Sequence, residues 1–302
     1  MDERKTVCIG EGIEMPRVGF GTYRLQGHEC EVAVEAALEC GYRLIDTASI
    51  YKNEEHVKAA LSRWRSRHGG EHVCITSKAS PYEMGFDKTY AACLQSLRRL
   101  GVEQLDLYLL HWPGVAKRQH MDAVHRKARH ESWKALECLC RDNKVRAIGV
   151  SNFNPSHLDA LYEDGIGIPP AVNQVEFHPF CLRRDLLAWL PPRDKTSGAD
   201  APAFAPLVIQ GYASLGSGDS ALLTHPAVLR VASECHRTPA QVLLRWSLQH
   251  GVPVIPRSAH TDRIRGNLQV YDFRLSEAQM GVLDGLQQSA SRRFCWDSTT
   301  VL

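Results

Sequence analysis

Residues 43–66 read RLIDTASIYKNEEHVKAALSRWRS, and their pattern changes period partway through. Within the first six, RLIDTA, a short apolar run, RLI, ends in a carboxylate at Asp46. Further on, Val57, Ala60, Leu61 and Trp64 recur at intervals of three and four, which is one face of a helix. A buried strand followed by an amphipathic helix is one βα unit, and the chain repeats it. The further candidate strands are RVGFGT (17–22), VCITSK (73–78), DLYLLHW (106–112), RAIGVSNF (146–153), AVNQVEF (171–177), PLVIQGYASL (206–215) and VPVIPRS (252–258). With 43–48 they number eight, and helical patterns such as Cys93, Leu94, Leu97 and Leu100 lie between them.

Eight such units predict an α/β fold of the (β/α)8 TIM-barrel type, built as one domain over residues 1–302. A doubly wound sheet calls for a GxGxxG turn after its first strand, and GFGTYRLQG (19–27) does not supply it. The opening TVCIGEGIEMP (6–16) alternates around a Gly-containing turn and predicts an N-terminal β-hairpin plugging the barrel floor. Helix starts are expected at Asn154-Pro155, at Thr238-Pro239, and at Ser276 with Gln279 three residues on. The stretch PPRDKTSGADAPAFAP (191–206) breaks the rhythm and predicts a surface loop inserted between units 6 and 7.

Lysine and arginine exceed aspartate and glutamate by only 36 to 34, which gives no electrostatic reason to expect nucleic acid or a membrane as partner. The charged start, MDERKTVCIGEG, lacks the apolar core of a signal peptide, so a cytoplasmic protein is expected. Ten cysteines without a CxxC pair read as reduced, buried thiols. His120, His125 and His130 share no helical face, so a solvated basic loop is expected there and no metal site.

Barrel active sites sit at the C-terminal ends of the strands. Three successive strands here finish on Asp46, Lys78 and His111, at intervals of 32 and 33 residues, and Tyr51 follows just beyond Asp46. A free phenol, with a pKa of about 10, is a poor proton donor near neutrality. An ammonium beside it lowers that value, a carboxylate holds the ammonium, and an imidazole can hydrogen-bond a carbonyl. Asp46 and Lys78 alone could be a structural ion pair and His111 a core histidine. All three at adjacent strand ends, with a tyrosine, point to a tuned proton donor aimed at a small polar group.

Asp46 and Tyr51 lie in the first of three ordered stretches, GYRLIDTASIYKNEEHV (41–57), KVRAIGVSNF (144–153) and IPRSAHTDRIRGNL (255–268), by which, with Lys78 and His111 between the first two, the chain resembles the aldo-keto reductases over essentially its full length. The resemblance implies the same barrel, and an NADPH-dependent carbonyl reductase of the alcohol dehydrogenase (NADP+) type that delivers hydride to an aldehyde or ketone. It implies Tyr51 as general acid, Lys78 and Asp46 as the pair that tunes it, and His111 as the residue orienting the carbonyl. It places the nicotinamide carboxamide on Ser151, Asn152 and Gln174, its ring on Tyr212, and its border on Thr22 and Tyr23. By the same resemblance Ser214, Leu215 and Gly216 line the pyrophosphate, Arg257, Ser258 and Arg263 meet the 2′-phosphate, and Asn267 contacts the adenine. Tyr23 and Trp112, with Tyr51 and His111, line the substrate pocket.

Several positions depart from the family pattern. Arg257 stands where lysine is common, Gly266 where an acidic residue often contacts the adenine, and Lys58 where the first stretch usually ends in glycine. Ser80 stands where some members carry tryptophan, which leaves the pocket wider on one side. The tail SRRFCWDSTTVL (291–302) is short, so a broad substrate range is expected; the oligomeric state is left open, with a monomer as one option. Phe294, Cys295 and Trp296 are expected to fold over the mouth, with Trp296 near Tyr23 and Trp112 and the cofactor contacts on the mouth's other side. The alternative is a cofactor-binding regulatory or structural protein on the same fold. A barrel isomerase or lyase is a third reading, faintly favoured by GSGDS (216–220) but without a strand-end glutamate for catalysis.

Overall fold

The structure is a computed structural model, and it describes residues 5–191 and 206–302. The expected inserted loop therefore lies almost wholly outside the described residues. Strands β1 (Thr6–Gly10) and β2 (Ile13–Pro16) form an antiparallel hairpin. A second, parallel sheet contains β3 (Phe20–Gly21), β4 (Leu44–Asp46), β5 (Cys74–Ala79), β6 (Leu105–Leu110), β7 (Val145–Ser151), β8 (Val172–Glu176) and β9 (Val208–Tyr212), paired in chain order. Helices follow the strands: α1 (Gly27–Glu39), α2 (Glu54–His68), α3 (Phe86–Leu100), α4 (Val124–Arg141), α5 (Pro155–Glu163), α6 (Arg184–Leu187), α7 (Pro226–Cys235), α8 (Pro239–Gln249), α9 (Thr261–Leu268), α10 (Glu277–Asp284) and α11 (Leu286–Ala290).

The eighth expected strand, 252–258, is not one. Only Val254 pairs, bridging in parallel to Gly211 of β9 on one side and to Val18, just before β3, on the other. The cause is in the sequence: Pro253 and Pro256 have no N–H to give a ladder. Backbone bonds still join the sheet's two ends, since Val254 N donates to Arg17 O at 2.8 Å and Gly211 N to Pro253 O at 2.7 Å. The sheet is thus a curled, seven-stranded parallel one whose first and last strands meet through the Val254 bridges and a few flanking backbone bonds.

Side chains alternate along a strand, and the alternation separates two cores. One set (Leu44, Cys74, Leu107, Leu109, Ala147, Val172 and Val208) packs together with Ile9 and Met15 of the hairpin. The other faces the helices and includes Ile45, Ile75, Tyr108, Leu110, Ile148, Val150 and Val175. The hairpin thus covers the N-terminal end of the sheet's inner face, as expected. The three expected helix starts are also present: Asn154 caps α5, Thr238 caps α8 and Ser276 caps α10, the last two with their hydroxyls accepting from the backbone N–H three residues on.

The histidine stretch differs from expectation. His125 and His130 lie on α4, and His125 is buried, with Nδ1 accepting from Val115 N at 2.9 Å and Nε2 2.7 Å from Gln119 O. All ten cysteines are free, and seven of them carry thiols pushed up mainly by burial, Cys30 and Cys74 to about 12. No helix among the described residues is long and apolar enough to cross a membrane.

Candidate active site

Along the inner face the side chains turn from apolar to polar in step. Leu44 gives way to Asp46, Cys74 to Thr76 and Lys78, and Leu107 and Leu109 to His111. Beyond them Ala147 gives way to Ser151, Val172 to Gln174 and Glu176, and Val208 to Gln210 and Tyr212. Because the period is two, each series stays on one face of its strand, and the polar members gather at the C-terminal ends.

At the base of this set is a buried ion pair. Lys78 Nζ donates to Asp46 Oδ1 at 2.6 Å and to Thr47 O at 2.8 Å, with Lys78 fully buried and Asp46 3% exposed. Gln174 Nε2 donates to the other oxygen, Asp46 Oδ2, at 2.7 Å and also to Gln210 Oε1 at 2.8 Å. Thr22 ties β3 to β4 through its N–H and hydroxyl, both donating to Asp46 O. Removing either ion would leave the other uncompensated in the interior, typically about 3–5 kcal/mol of destabilisation.

Tyr51 ends a short 3-10 turn, Ser49–Tyr51, directly after β4. Its hydroxyl lies 3.4 Å from His111 Nε2, and Lys78 Nζ lies 5.0 Å from the centre of its ring. Tyr23 packs tilted against the same ring at 5.1 Å. Four side chains separated by up to 65 positions in sequence, from Asp46 to His111, thus meet at one point, as the strand-end spacing predicted.

The electrostatics correct one expectation. Burial, with a smaller contribution from Asp46, pushes the Tyr51 phenol well above its ordinary value, so Lys78 does not bring it down toward neutrality. Lys78 itself is lowered by burial, against the pull of Asp46. Burial and the Lys78 charge hold His111 well below the usual imidazole range, hence neutral at pH 7. His111 Nδ1 is buried without a hydrogen-bond partner. A bare lone pair is cheaper to leave there than an N–H, so the proton belongs on Nε2, facing the phenol.

Asn152 follows β7 with φ of 65°, in the left-handed region that asparagine tolerates better than most residues. Its Nδ2 donates to His111 O and Ser151 Oγ, both at 3.0 Å, and its Oδ1 accepts from the Tyr212 hydroxyl at 2.6 Å. Ser151 Oγ in turn donates to Gln174 O at 2.8 Å. Ser151, Asn152, Gln174 and Tyr212 therefore form one connected group beside the ion pair.

After β9 the chain turns sharply through Ser214, Leu215 and Gly216. A Cβ on Gly216 would lie 2.6 Å from Asp219 O, so only glycine fits. Beyond Val254, Arg257 and Arg263 are exposed while Ser258 and Asn267 are buried. Ser258 Oγ accepts from His260 N at 3.0 Å just before α9, whose start has no side-chain cap. Two guanidinium groups, a hydroxyl and an uncapped helix N-terminus form a donor set suited to a phosphate.

The mouth differs from expectation in two ways. Trp296 does reach Trp112, edge to face at 6.3 Å, but it remains 82% exposed and is not a buried lid. The tail is also not separate from the group around Asn152. Ser298 Oγ donates to Asn152 O at 2.6 Å and accepts from Asn154 Nδ2 at 3.2 Å. Ser80, on the side expected to be wider, is buried, and its N–H donates to Glu83 Oε2 in a capping box that also receives Ser49 Oγ.

Some participants escape sequence reasoning. Ser298 sits in a tail with no periodic pattern, and only its spatial neighbours give it a role. Glu176, by contrast, lies in the AVNQVEF strand and in the inner-face series, and His178 follows just beyond that strand. Both are buried and 3.0 Å apart, and Glu176 accepts from Phe294 N, which ties the tail to β8. At the opposite end of the sheet His72, Cys74 and Asp106 cluster within 4.8 Å, and the cation there is Arg146, which donates to Asp106 Oδ1 at 2.9 Å.

The model of the Aldo/keto reductase family matches residues 17–288. A glyoxal reductase of Bacillus subtilis is 40% identical over 286 residues, spanning 94% of this chain and 94% of that protein. A 9,11-endoperoxide prostaglandin H2 reductase of Trypanosoma cruzi is 39% identical over 287 residues, spanning 93% and 91%. Among solved structures, the aldo/keto reductase from Brucella melitensis superposes with a TM-score of 0.79 at 31% identity, covering 93% of this chain and 98% of that one.

Proposed function

The chain belongs to the Aldo/keto reductase family, and from that premise we propose that it is an NADPH-dependent reductase of aldehydes and ketones with a broad substrate range. The architecture then reads as a single-domain (β/α)8 barrel whose eighth strand has worn down to the Val254 bridge. The observation that carries the reading is the Tyr51 hydroxyl beside His111 Nε2, above the buried Lys78–Asp46 pair.

When bound, the reduced dinucleotide supplies the hydride. The chain's own residues do the rest. His111 Nε2–H and the Tyr51 O–H converge on the carbonyl oxygen, fixing its position and giving it a proton from Tyr51 as negative charge develops there. Lys78 holds an ammonium near the phenolate that this leaves, and Asp46 holds Lys78. Ser151, Asn152 and Gln174 carry the amide and hydroxyl groups for the carboxamide, and Tyr212 offers the ring face for stacking. Ser214, Leu215 and Gly216 form the turn that lines the pyrophosphate. Arg257, Ser258 and Arg263 meet the 2′-phosphate, which is the reason to prefer NADPH over NADH, and Asn267 the adenine.

Tyr23 and Trp112 form the walls of the substrate opening, and the exposed Trp296 leaves it wide, which favours breadth over one tightly held substrate. In this reading the protein works in the cytoplasm, as a monomer, on small carbonyl compounds.

The test is NADPH oxidation with a panel of aromatic aldehydes, sugars, quinones and keto-steroids, run on the parent protein and on Tyr51→Phe. The parent should turn over several of them. Tyr51→Phe should bind NADPH as before and lose about 10²–10⁴-fold in kcat, the usual worth of a general acid. Turnover of none of the panel, or Tyr51→Phe activity within tenfold of the parent, overturns the reading.

A further inference from the structure

Asn152 lies in a left-handed conformation between the candidate catalytic histidine and the tail, and its backbone is held from two sides: its N–H donates to Gln174 O at 2.9 Å, and its carbonyl is held from the tail. Its carbonyl oxygen accepts from Ser298 Oγ at 2.6 Å. Ser298 is only 3% exposed, and its hydroxyl also accepts from Asn154, the residue that caps α5. The hydroxyl therefore bridges the two asparagines of the SNFN turn. The tail that carries it is pinned on both sides: Phe294 N donates to the Glu176 carboxylate, and Val301 O lies 2.7 Å from His157 Nε2. Leu302 N also donates to His120 O at 2.8 Å.

This arrangement matters because the Asn152 amide is already committed to Tyr212, His111 O and Ser151. Any ligand that takes up this amide exchanges those bonds for its own. During the exchange the side chain keeps its aim only if the backbone at φ of 65° does not relax.

We propose that Ser298 is a positioning residue of the cofactor site, holding the Asn152 backbone so that its amide meets the nicotinamide carboxamide, and that tail docking and cofactor binding thereby favour one another. The proposal rests on the reading of Asn152 as a carboxamide ligand. Coupling of this kind is reciprocal: a docked tail tightens NADPH, and NADPH holds the tail down.

The experiment titrates NADPH, by quenching of protein fluorescence, into the parent, Ser298→Ala, Ser298→Thr, Asn152→Gly and the Ser298→Ala/Asn152→Gly double variant. Asn152→Gly removes the amide without left-handed strain. Thermal unfolding is recorded for each, and hydrogen exchange of residues 294–302 is followed with and without NADPH. Ser298→Ala should raise the NADPH Kd about 2- to 10-fold, the net worth of one hydrogen bond, and Ser298→Thr should restore it. Asn152→Gly should weaken binding too, and Ser298→Ala should add nothing in that background. NADPH should slow exchange in the parent's tail and not in Asn152→Gly. If Ser298→Ala lowers Tm but binds NADPH like the parent while Asn152→Gly binds weakly, the hydroxyl only glues the tail, and the inference is overturned with the cofactor reading intact. If Asn152→Gly binds like the parent, or the parent binds no NADPH, the reading of Asn152 fails and takes the inference with it.

Discussion

Moving a Tyr51 phenolate out of water costs more than Lys78 returns, because that ammonium is already committed to Asp46 Oδ1 and the Thr47 carbonyl. The phenol therefore keeps its proton throughout the neutral range, which suits a group that must hold a proton until an oxyanion forms beside it. The sign of the pH dependence follows. Carbonyl reduction needs the protonated phenol, so its kcat should stay flat from about pH 6 to about pH 9. Alcohol oxidation needs the deprotonated form, so its rate should climb with pH across the alkaline range. Because His111 lies well below the imidazole range, neither direction should inflect near its ordinary value. Profiles of kcat against pH in both directions check this, and a loss of reduction centred near neutrality would contradict it. At the rim, Arg263→Ala should raise the NADPH Kd about tenfold or more, from the roughly 1.5–3 kcal/mol of a charge-assisted bond, and leave NADH nearly unchanged. An equal loss for both nucleotides, measured by titration, would mean that the arginine reads no phosphate. The four convergent residues were legible because the strand period and the unit length are both regular. The pKa of Tyr51 was not, because desolvation depends on what surrounds the ring in space.

Among the elements, those with local signals were the readable ones. Asn154-Pro155, Thr238-Pro239 and Ser276 with Gln279 each satisfy orphan helix N–H groups from within four residues of sequence, and each starts a helix as expected. The strand at 252–258 misled because its apolar composition fits a strand, while two prolines remove the ladder that would make it one. The tail misled because the contacts that dock it are long-range. One of them gives a stability prediction. His157 is buried in the first turn of α5, accepting from Asn154 N and bonding Val301 O, and burial is the main reason its pKa falls to about 4. In the unfolded chain the same group titrates near 6.5. Between those two values the unfolded state holds more protons, so stability should decline as pH falls from about 6.5 to about 4 and be insensitive to this residue below that. The total is roughly 3 kcal/mol at most. Urea unfolding of the parent and His157→Gln across that window should show a shallower pH slope in the variant. Parallel slopes would mean that His157 is not the group responsible.

For the molecule as a whole, the repeat of βα units, the floor hairpin and the location of the mouth could all be read from 302 residues of pattern, because each unit repeats the same physical problem of burying one strand face and one helix face. Its one irregular joint could not be read from that pattern. Between β9 and β3 the ring is fastened by Val254 and a few flanking backbone bonds, where every other neighbouring pair shares a true ladder. A hoop under thermal stress parts at its thinnest weld. The amides of Gly19, Gly211 and Val254 should therefore exchange with deuterium well ahead of those in β6 and β7, whose shared ladder is the longest in the sheet. The thin weld also lies directly between the turn at Ser214–Gly216 and the arginines at 257 and 263. A dinucleotide spanning those two groups would act as a staple across it, and NADPH should slow exchange at those three amides more than anywhere else in the ring. Uniform protection around the ring would show that the joint is as sound as the rest.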